Sequence, residues 1–277
     1  VKKGKIKLLK NVNLENINFL FNLNKNKYLF KEIKFSTDKV NFNSDLLTVA
    51  KINNTHQIEG SLANSKSIVP ENLIRLLNFN LKNLDFKNTQ FNSKNKFKFE
   101  INNKFKFKNF KLDSEINFDQ MIYKNENIIS DYFPELKNNL AFNSHDLKLK
   151  YEKNILLVNG IGKIKIGDNS DSIKYFISKS KDNFEFDADL NIKKLTLQNQ
   201  KIFKVNFPLT EGLIDLKSHK INVKYKDNNF FLNGKGKIKI EKEFDNIKYF
   251  LFKKKNDFQL TSEINLKNIS LKNKKFL

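Results

Sequence analysis

One stretch of this chain is written twice. Residues 156–166 read Leu-Leu-Val-Asn-Gly-Ile-Gly-Lys-Ile-Lys-Ile, and residues 231–240 read Phe-Leu-Asn-Gly-Lys-Gly-Lys-Ile-Lys-Ile. Gly234 and Gly236 follow Gly160 and Gly162 by 74 positions. The same interval separates Tyr225 from Tyr151, Tyr249 from Tyr175, Phe258 from Phe184, His219 from His145 and Pro208 from Pro134, with no gap needed. A fixed period of this length marks one supersecondary unit stacked on itself. The alignment gives two nearly full copies, 133–206 and 207–277, the second cut short at its end. Before them lies a degenerate region, 1–132. Its last part still holds the period, since Leu112 stands 74 before Phe186, and Ser-Glu-Ile-Asn at 114–117 recurs at 262–265. Upstream of Phe110 the register fades, and Pro70 precedes Pro134 by 64 positions.

The unit is built from strands. Apolar residues alternate with lysine and asparagine through Ile17, Phe19, Phe21 and Leu23, then Tyr28 and Phe30, Ile33 and Phe35, Val40 and Phe42. Asparagine-rich and Ser-Thr-Asp segments at 24–26 and 36–38 supply turn chemistry between them. A further strand is predicted at 58–62, and the alternation returns densely from Phe97 to Leu112. Within one copy the predicted strands are 147–151, 156–166, 173–177, 184–192, 195–197 and 202–207. Connections such as 178–183 are too short for a parallel crossover, so the pairing is antiparallel. The pattern breaks once, at 70–77. There Pro70 and Glu71 suit a first helical turn, and Leu73, Ile74, Leu76 and Leu77 make one apolar stripe. The predicted fold is all-β: a long antiparallel meander of 74-residue units curled into an elongated open groove, with one short helix.

In the strand 156–166 one face carries Leu156, Val158, Gly160, Gly162, Ile164 and Ile166, and the other carries Asn159, Lys163 and Lys165. The two glycines fall on the apolar face, where a missing side chain permits a bend or bulge. Strand phase extends that face to Tyr175, Phe184, Phe186 and Leu190, and in the next copy to Phe230, Leu232, Ile238, Ile240, Tyr249, Phe258 and Leu260. These fifteen residues are the predicted lining of the groove.

Charge and composition narrow the function classes. The net charge is +22, which suits a polyanion, but every basic residue except Arg75 is lysine. Arginine is what bidentate phosphate and base recognition favours, so the lysines read first as the solvated faces and edge protection of strands. With no cysteine there is neither a disulfide framework nor a thiolate metal site. Mean hydropathy is −0.58, and no run reaches the roughly 18–20 apolar residues of a spanning helix. The chain begins at Val1 and ends short of the next unit boundary, which reads as a piece of a longer repeat array whose anchor lies elsewhere.

The residue types that carry chemistry do not converge. Gly160 and Gly162 lie inside a strand, with the wrong spacing for a dinucleotide loop. His145 and His219 occupy one repeated place and His56 stands apart, so they do not form a metal set. Asp187 with Asp189, and Asp113 with Glu115, are same-face strand pairs that read as salt-bridge partners rather than acid/base dyads. No nucleophile motif is present. The expectation is a protein that is not an enzyme and takes no cofactor or metal.

The Lys-Ile-Lys-Ile strands behind Gly-x-Gly, the Ile-Lys-Tyr-Phe strand followed by a turn and Phe-x-Phe or Phe-x-Leu, and the Ile-x-Leu-x-x-Ile-x-Leu ending resemble the AsmA-like (YhdP and TamB type) proteins of the Gram-negative envelope. The likeness covers roughly 112–277. It implies a periplasmic chain, anchored in the inner membrane through a segment outside this sequence, whose apolar β-groove carries phospholipid acyl chains between inner and outer membranes. The implied partners are phospholipid and components of both membranes, with a role in outer membrane biogenesis. It offers no catalytic residues to carry over. Two alternatives stand beside it. A single-stranded nucleic-acid or polyanion-binding sheet would stack bases on aromatics flanked by lysine, as at 97–110. An outer-membrane β-barrel would alternate in the same way. The 74-residue repeat and the predicted helix weigh against the barrel, and the scarcity of arginine against nucleic acid.

Overall fold

Residues that alternate apolar and polar with β-branched and aromatic side chains pair as strands, and the described residues show this throughout. The structure, a computed structural model, describes residues 4–9, 12–70, 84–104, 106–124, 139–166, 169–198, 213–240, 243–254, 257–265 and 267. Among them are β1 (Gly4–Leu9), β2 (Val12–Asn24), β3 (Lys27–Thr37), β4 (Val40–Ile52), β5 (Thr55–Ile68), the short β6 (Leu84–Asp85), β7 (Gln90–Asn102) and β8 (Phe107–Lys124). Then follow β9 (Asn139–Glu152), β10 (Ile155–Lys165), β11 (Ser170–Lys179), β12 (Phe184–Gln198), β13 (Leu213–Lys226), β14 (Asn229–Lys239), β15 (Phe244–Lys254) and β16 (Asp257–Asn265). The described residues contain no helix. All pairings are antiparallel between chain neighbours, except that β5 passes over β6 to pair β7, and β6 pairs the far end of β8. β1 and β16 have one neighbour each, so the sheet is open. Fifteen strands in line at about 4.8 Å give a path of about 67 Å along the hydrogen-bonding direction.

Turn chemistry fixes the register. Asp38-Lys39, Lys153-Asn154 and Asp227-Asn228 are two-residue hairpin loops in which both residues have positive φ, between 46° and 69°. That is the geometry of a type I′ turn, whose twist matches the strands. The segments predicted as 184–192 and 195–197 form one strand, β12. Ile192 is buried, Lys193 and Lys194 are both exposed, and Leu195 returns to the inner side. The alternation slips by one residue there, which is why the sequence reads as two strands. Most of the predicted helix at 70–77, and the predicted strand at 202–207, fall outside the described residues.

The four-strand period is visible in the irregularities. In β9 against β10 the register shifts between Ile161 and Lys163, and in β13 against β14 between Lys217 and Lys220. In each case the extra residue sits on the strand opposite the glycines, at Ser144 (φ 51°) and Ser218 (φ 55°). The bulge expected at the glycines is therefore in the neighbouring strand, and the glycines lie in regular strand. β4 against β5 shows a third register shift, between Asn43 and Leu47, with Gly60 in the place of Gly160. Thus β4, β5, β7 and β8 form an earlier unit, lengthened by the segment between β5 and β7.

Register also decides which side chains share a face, because directly opposed residues point to the same side. One row runs Ile116, Leu147, Gly160, Tyr175, Ala188, Val223, Leu232, Leu251, Leu260 from β8 to β16. The neighbouring row on the other face carries Lys148, Asn159, Phe176, Asp187, Lys224, Phe231, Phe252 and Gln259. One side of the sheet is mainly apolar. The other is mainly polar.

Candidate functional site

The Gly-x-Gly motif is explained by what crosses it. A Cβ at Gly160 would overlap the ring of Tyr175 on β11, and one at Gly162 would overlap the ring of His145 on β9. Gly234 clears the same space for Tyr249, and Gly236 for His219. None of these four glycines has a left-handed φ, so the requirement is purely steric. The two rings then meet above the strand. The Nδ1 of His145 lies 3.2 Å from the Tyr175 hydroxyl, and its Nε2 lies 3.0 Å from the Lys163 carbonyl; the second copy repeats both contacts at 3.1 and 2.9 Å. A carbonyl only accepts, so Nε2–H donates to it, and in the neutral ring Nδ1 accepts from the tyrosine O–H. His145 is 0 % exposed and His219 1 %.

Burial sets the charge of this pair. Desolvation lowers the pKa of both histidines, against the opposing hydrogen bonds to Lys163 and Lys237, and burial pushes Tyr175 and Tyr249 up to about 12. A histidine whose folded pKa is depressed takes up its proton mainly on unfolding. Its contribution is complete above the ordinary value of 6.5 and is lost as pH falls through and below it. The tyrosines act at the other end, where stability is lost as pH rises from 10 towards about 12. Urea titrations should therefore show stability falling below pH 6.5 and again above pH 10. His145→Gln with His219→Gln should flatten the acid limb, and an unchanged acid limb in that variant would overturn the assignment.

Thirteen of the fifteen predicted lining residues fall on the apolar face by register or by the alternation of their strand; Ile240 follows the end of β14 and packs in the core on that side, and Ile166 follows the end of β10 and is half-buried. They are not equally accessible. Val158, Ile164, Ile238 and Ile240 are 9 % exposed or less, and Ile238 and Ile240 pack with Ile214 in a core cluster flanked by Leu216, Ile247 and Ile264. Tyr175 and Tyr249 are held by the histidines. At the opposite ends of the strands Phe184, Phe258 and Leu260 are 45 %, 58 % and 61 % exposed. The same rim, where the β2–β3, β4–β5, β7–β8, β11–β12 and β15–β16 hairpins turn, also exposes Leu23, Tyr28, Ile52 and Phe107. Three of its turns carry Lys25, Lys27, Lys51, Lys104, Lys106 and Lys108, and no carboxylate stands at 23–28, 51–56 or 101–108.

Sequence reasoning missed a polar interruption of this face. Ser93 donates to Asn64 at 2.6 Å, Asn95 donates to Ser93 and to the Leu62 carbonyl, and Ser114 donates to Asn95 at 2.7 Å. These side chains stand on the apolar face of β5, β7 and β8, satisfied by one another. Asp171 and Asp245 lie deep on the same face and accept the amides of Lys193 and Lys267. The Lys193 amide belongs to the slip in β12, so this carboxylate holds the irregularity in place. Alternation alone cannot distinguish a serine or asparagine on the inner side from one on the outer.

A depression of 690 Å³ opens on the polar face, between β12 and β16, rather than on the apolar one. Among the described residues no group of histidine, aspartate and glutamate has the arrangement of a metal site. The chain matches no family model, no curated protein and no solved structure.

Proposed function

We propose that this chain holds phospholipid acyl chains along the apolar face of its open sheet, and that it forms part of a longer AsmA-like envelope protein carrying lipid between the inner and outer membranes, with no catalytic step. The observation that carries the reading is the apolar row from Ile116 to Leu260, continuous from β8 to β16 and ending at Ser93 on β7, beside a rim that exposes Phe107, Phe184, Phe258 and Leu260. Each methylene sheltered there gains about 0.8 kcal/mol, so part of one acyl chain is enough for binding. The lysine-bearing turns on the same rim suit phosphate head groups kept in water. Periplasmic placement and the inner-membrane anchor belong to the resemblance. The open edges of β1 and β16 weigh against a closed barrel for these strands.

The structure also selects the test. Ile164 is 4 % exposed, so a probe there reports folding instead of lipid. A photo-crosslinking residue at Phe184 or Leu260 reaches the face without disturbing the core. Purified protein should release phospholipid in native mass spectrometry, and acyl-chain adducts should form from Phe184 and Leu260 but not from Glu185 or Gln259, their neighbours on the opposite face. Equal labelling from both faces, or protein free of phospholipid after expression in a Gram-negative host, would end this reading.

A further inference from the structure

The polar face pairs its charges in one pattern over most of its length. Lys94 faces Glu115, Lys96 and Lys150 face Asp113, Lys98 faces Glu59, Lys174 faces Asp189 and Lys224 faces Asp187. Opposite charges in directly opposed positions stabilise a sheet, and like charges there destabilise it. Lys98 also faces Lys111, but each is paired with its own carboxylate, Glu59 and Glu152; the last unit breaks the pattern without that compensation. Lys220 of β13 faces Lys235 of β14, which faces Lys248 of β15. A second row, Lys194, Lys217 and Lys237, runs beside it across β12, β13 and β14. In the first row Lys248 reaches Glu263 at 3.3 Å, while among the described residues Lys220 and Lys235 make no ion pair.

The fold does not require these lysines. One unit earlier the three equivalent positions are Asp146, Ile161 and Lys174, and Lys174 there faces Asp189. The lysine row also coincides with the 690 Å³ depression, whose lining adds Asn222, Asn233, Phe250 and Thr261 and the carboxylates Asp189 and Glu263, so that the three lysines outnumber the acids by one. That volume is within the range of ligand pockets, roughly 300–1,000 Å³. We propose that this depression binds a phosphate ester of head-group size. Lys220 and Lys235 supply the unpaired charge and Lys248 a third ammonium shared with Glu263. The Asn233 amide and the Thr261 hydroxyl supply directed hydrogen bonds, the Asn222 amide being already given to Asp187 and Asp189, and Phe250 covers the carbon skeleton. The repulsion stored between opposed lysines in the free protein is relieved when the anion arrives.

The site lies on the face opposite the acyl path, so this proposal and the lipid reading fail independently. The test titrates the protein with inorganic pyrophosphate by calorimetry, and separately with vesicles of phosphatidylcholine with and without phosphatidylglycerol. Saturable binding of pyrophosphate is expected, weakened about tenfold or more by Lys235→Gln and unchanged by Lys150→Gln, a control on β9 that faces Asp113 and lies outside the lining. Without ligand, Lys235→Gln should melt about 1–4 °C higher than the parent, because a like-charge contact is gone. Binding to phosphatidylglycerol vesicles with the same Lys235 dependence assigns the ester to a lipid head group, and pyrophosphate binding alone assigns it to a soluble phosphate ester. No saturable binding of either probe, or equal weakening by Lys150→Gln, overturns the proposal. So does single-stranded oligonucleotide binding that exceeds both with the same Lys235 dependence, which would give the row to nucleic acid.

Discussion

Replacing Gly162 with valine is expected to cost about 2 to 6 kcal/mol, the sum of overpacking against a fully buried ring and of leaving His145 and Tyr175 without their hydrogen bonds. The added carbons have nowhere to go, since the His145 ring fills the space above the strand and is itself fixed to the Lys163 carbonyl. The earlier unit shows how the same place is filled without a histidine. There Gly60 still makes room for an aromatic ring, that of Phe97, but Leu62 stands where Gly162 stands, and Phe97 replaces Tyr175. The variant Gly162→Leu with His145→Ala and Tyr175→Phe reproduces that arrangement. It should recover about 1–3 kcal/mol relative to the sum of the separate changes, as read from urea midpoints. Additive behaviour would show that the ring and the glycine are not one packing unit.

Ile164→Asp is expected to be more damaging, at least about 5 kcal/mol, which is enough to prevent folding of a marginal sheet. Ile164 is 4 % exposed and lies directly opposite Asp171, itself 2 % exposed, so the change removes a buried side chain and brings a second carboxylate against the first. Two carboxylates that close cannot both ionise, so the defect should ease as pH falls towards the carboxylate range. Leu260→Asp provides the contrast. At 61 % exposure on the same face it should change stability by no more than about 1 kcal/mol while removing lipid adducts at the neighbouring Phe258. Circular dichroism melts of the two variants separate them directly. Equal melting temperatures would mean that the inner ends of the strands are no more buried than the rim.

The sequence determined a good deal here by itself. Alternation through residues such as Phe97, Phe99 and Ile101 gave strands, short asparagine-bearing turns gave antiparallel neighbours, and the 74-residue interval gave equivalent geometry for His145 with His219 and Gly160 with Gly234. These are local or periodic signals. An uninterrupted alternation also fixes which residues share a face, which is how the fifteen apolar positions were legible as one set.

Only the tertiary structure decided the rest, because it depends on which residues of different strands lie opposite one another. Register shows that the glycines serve the rings of adjacent strands, that the bulges sit at Ser144 and Ser218, and that Lys220, Lys235 and Lys248 share a row. The earlier unit was hidden because the segment between β5 and β7 is lengthened, which breaks the 74-residue interval while leaving the pairing intact. In one dimension an insertion destroys periodicity. In three dimensions the strands on either side of it still meet, since cross-strand hydrogen bonding needs adjacency in space and not constant spacing along the chain.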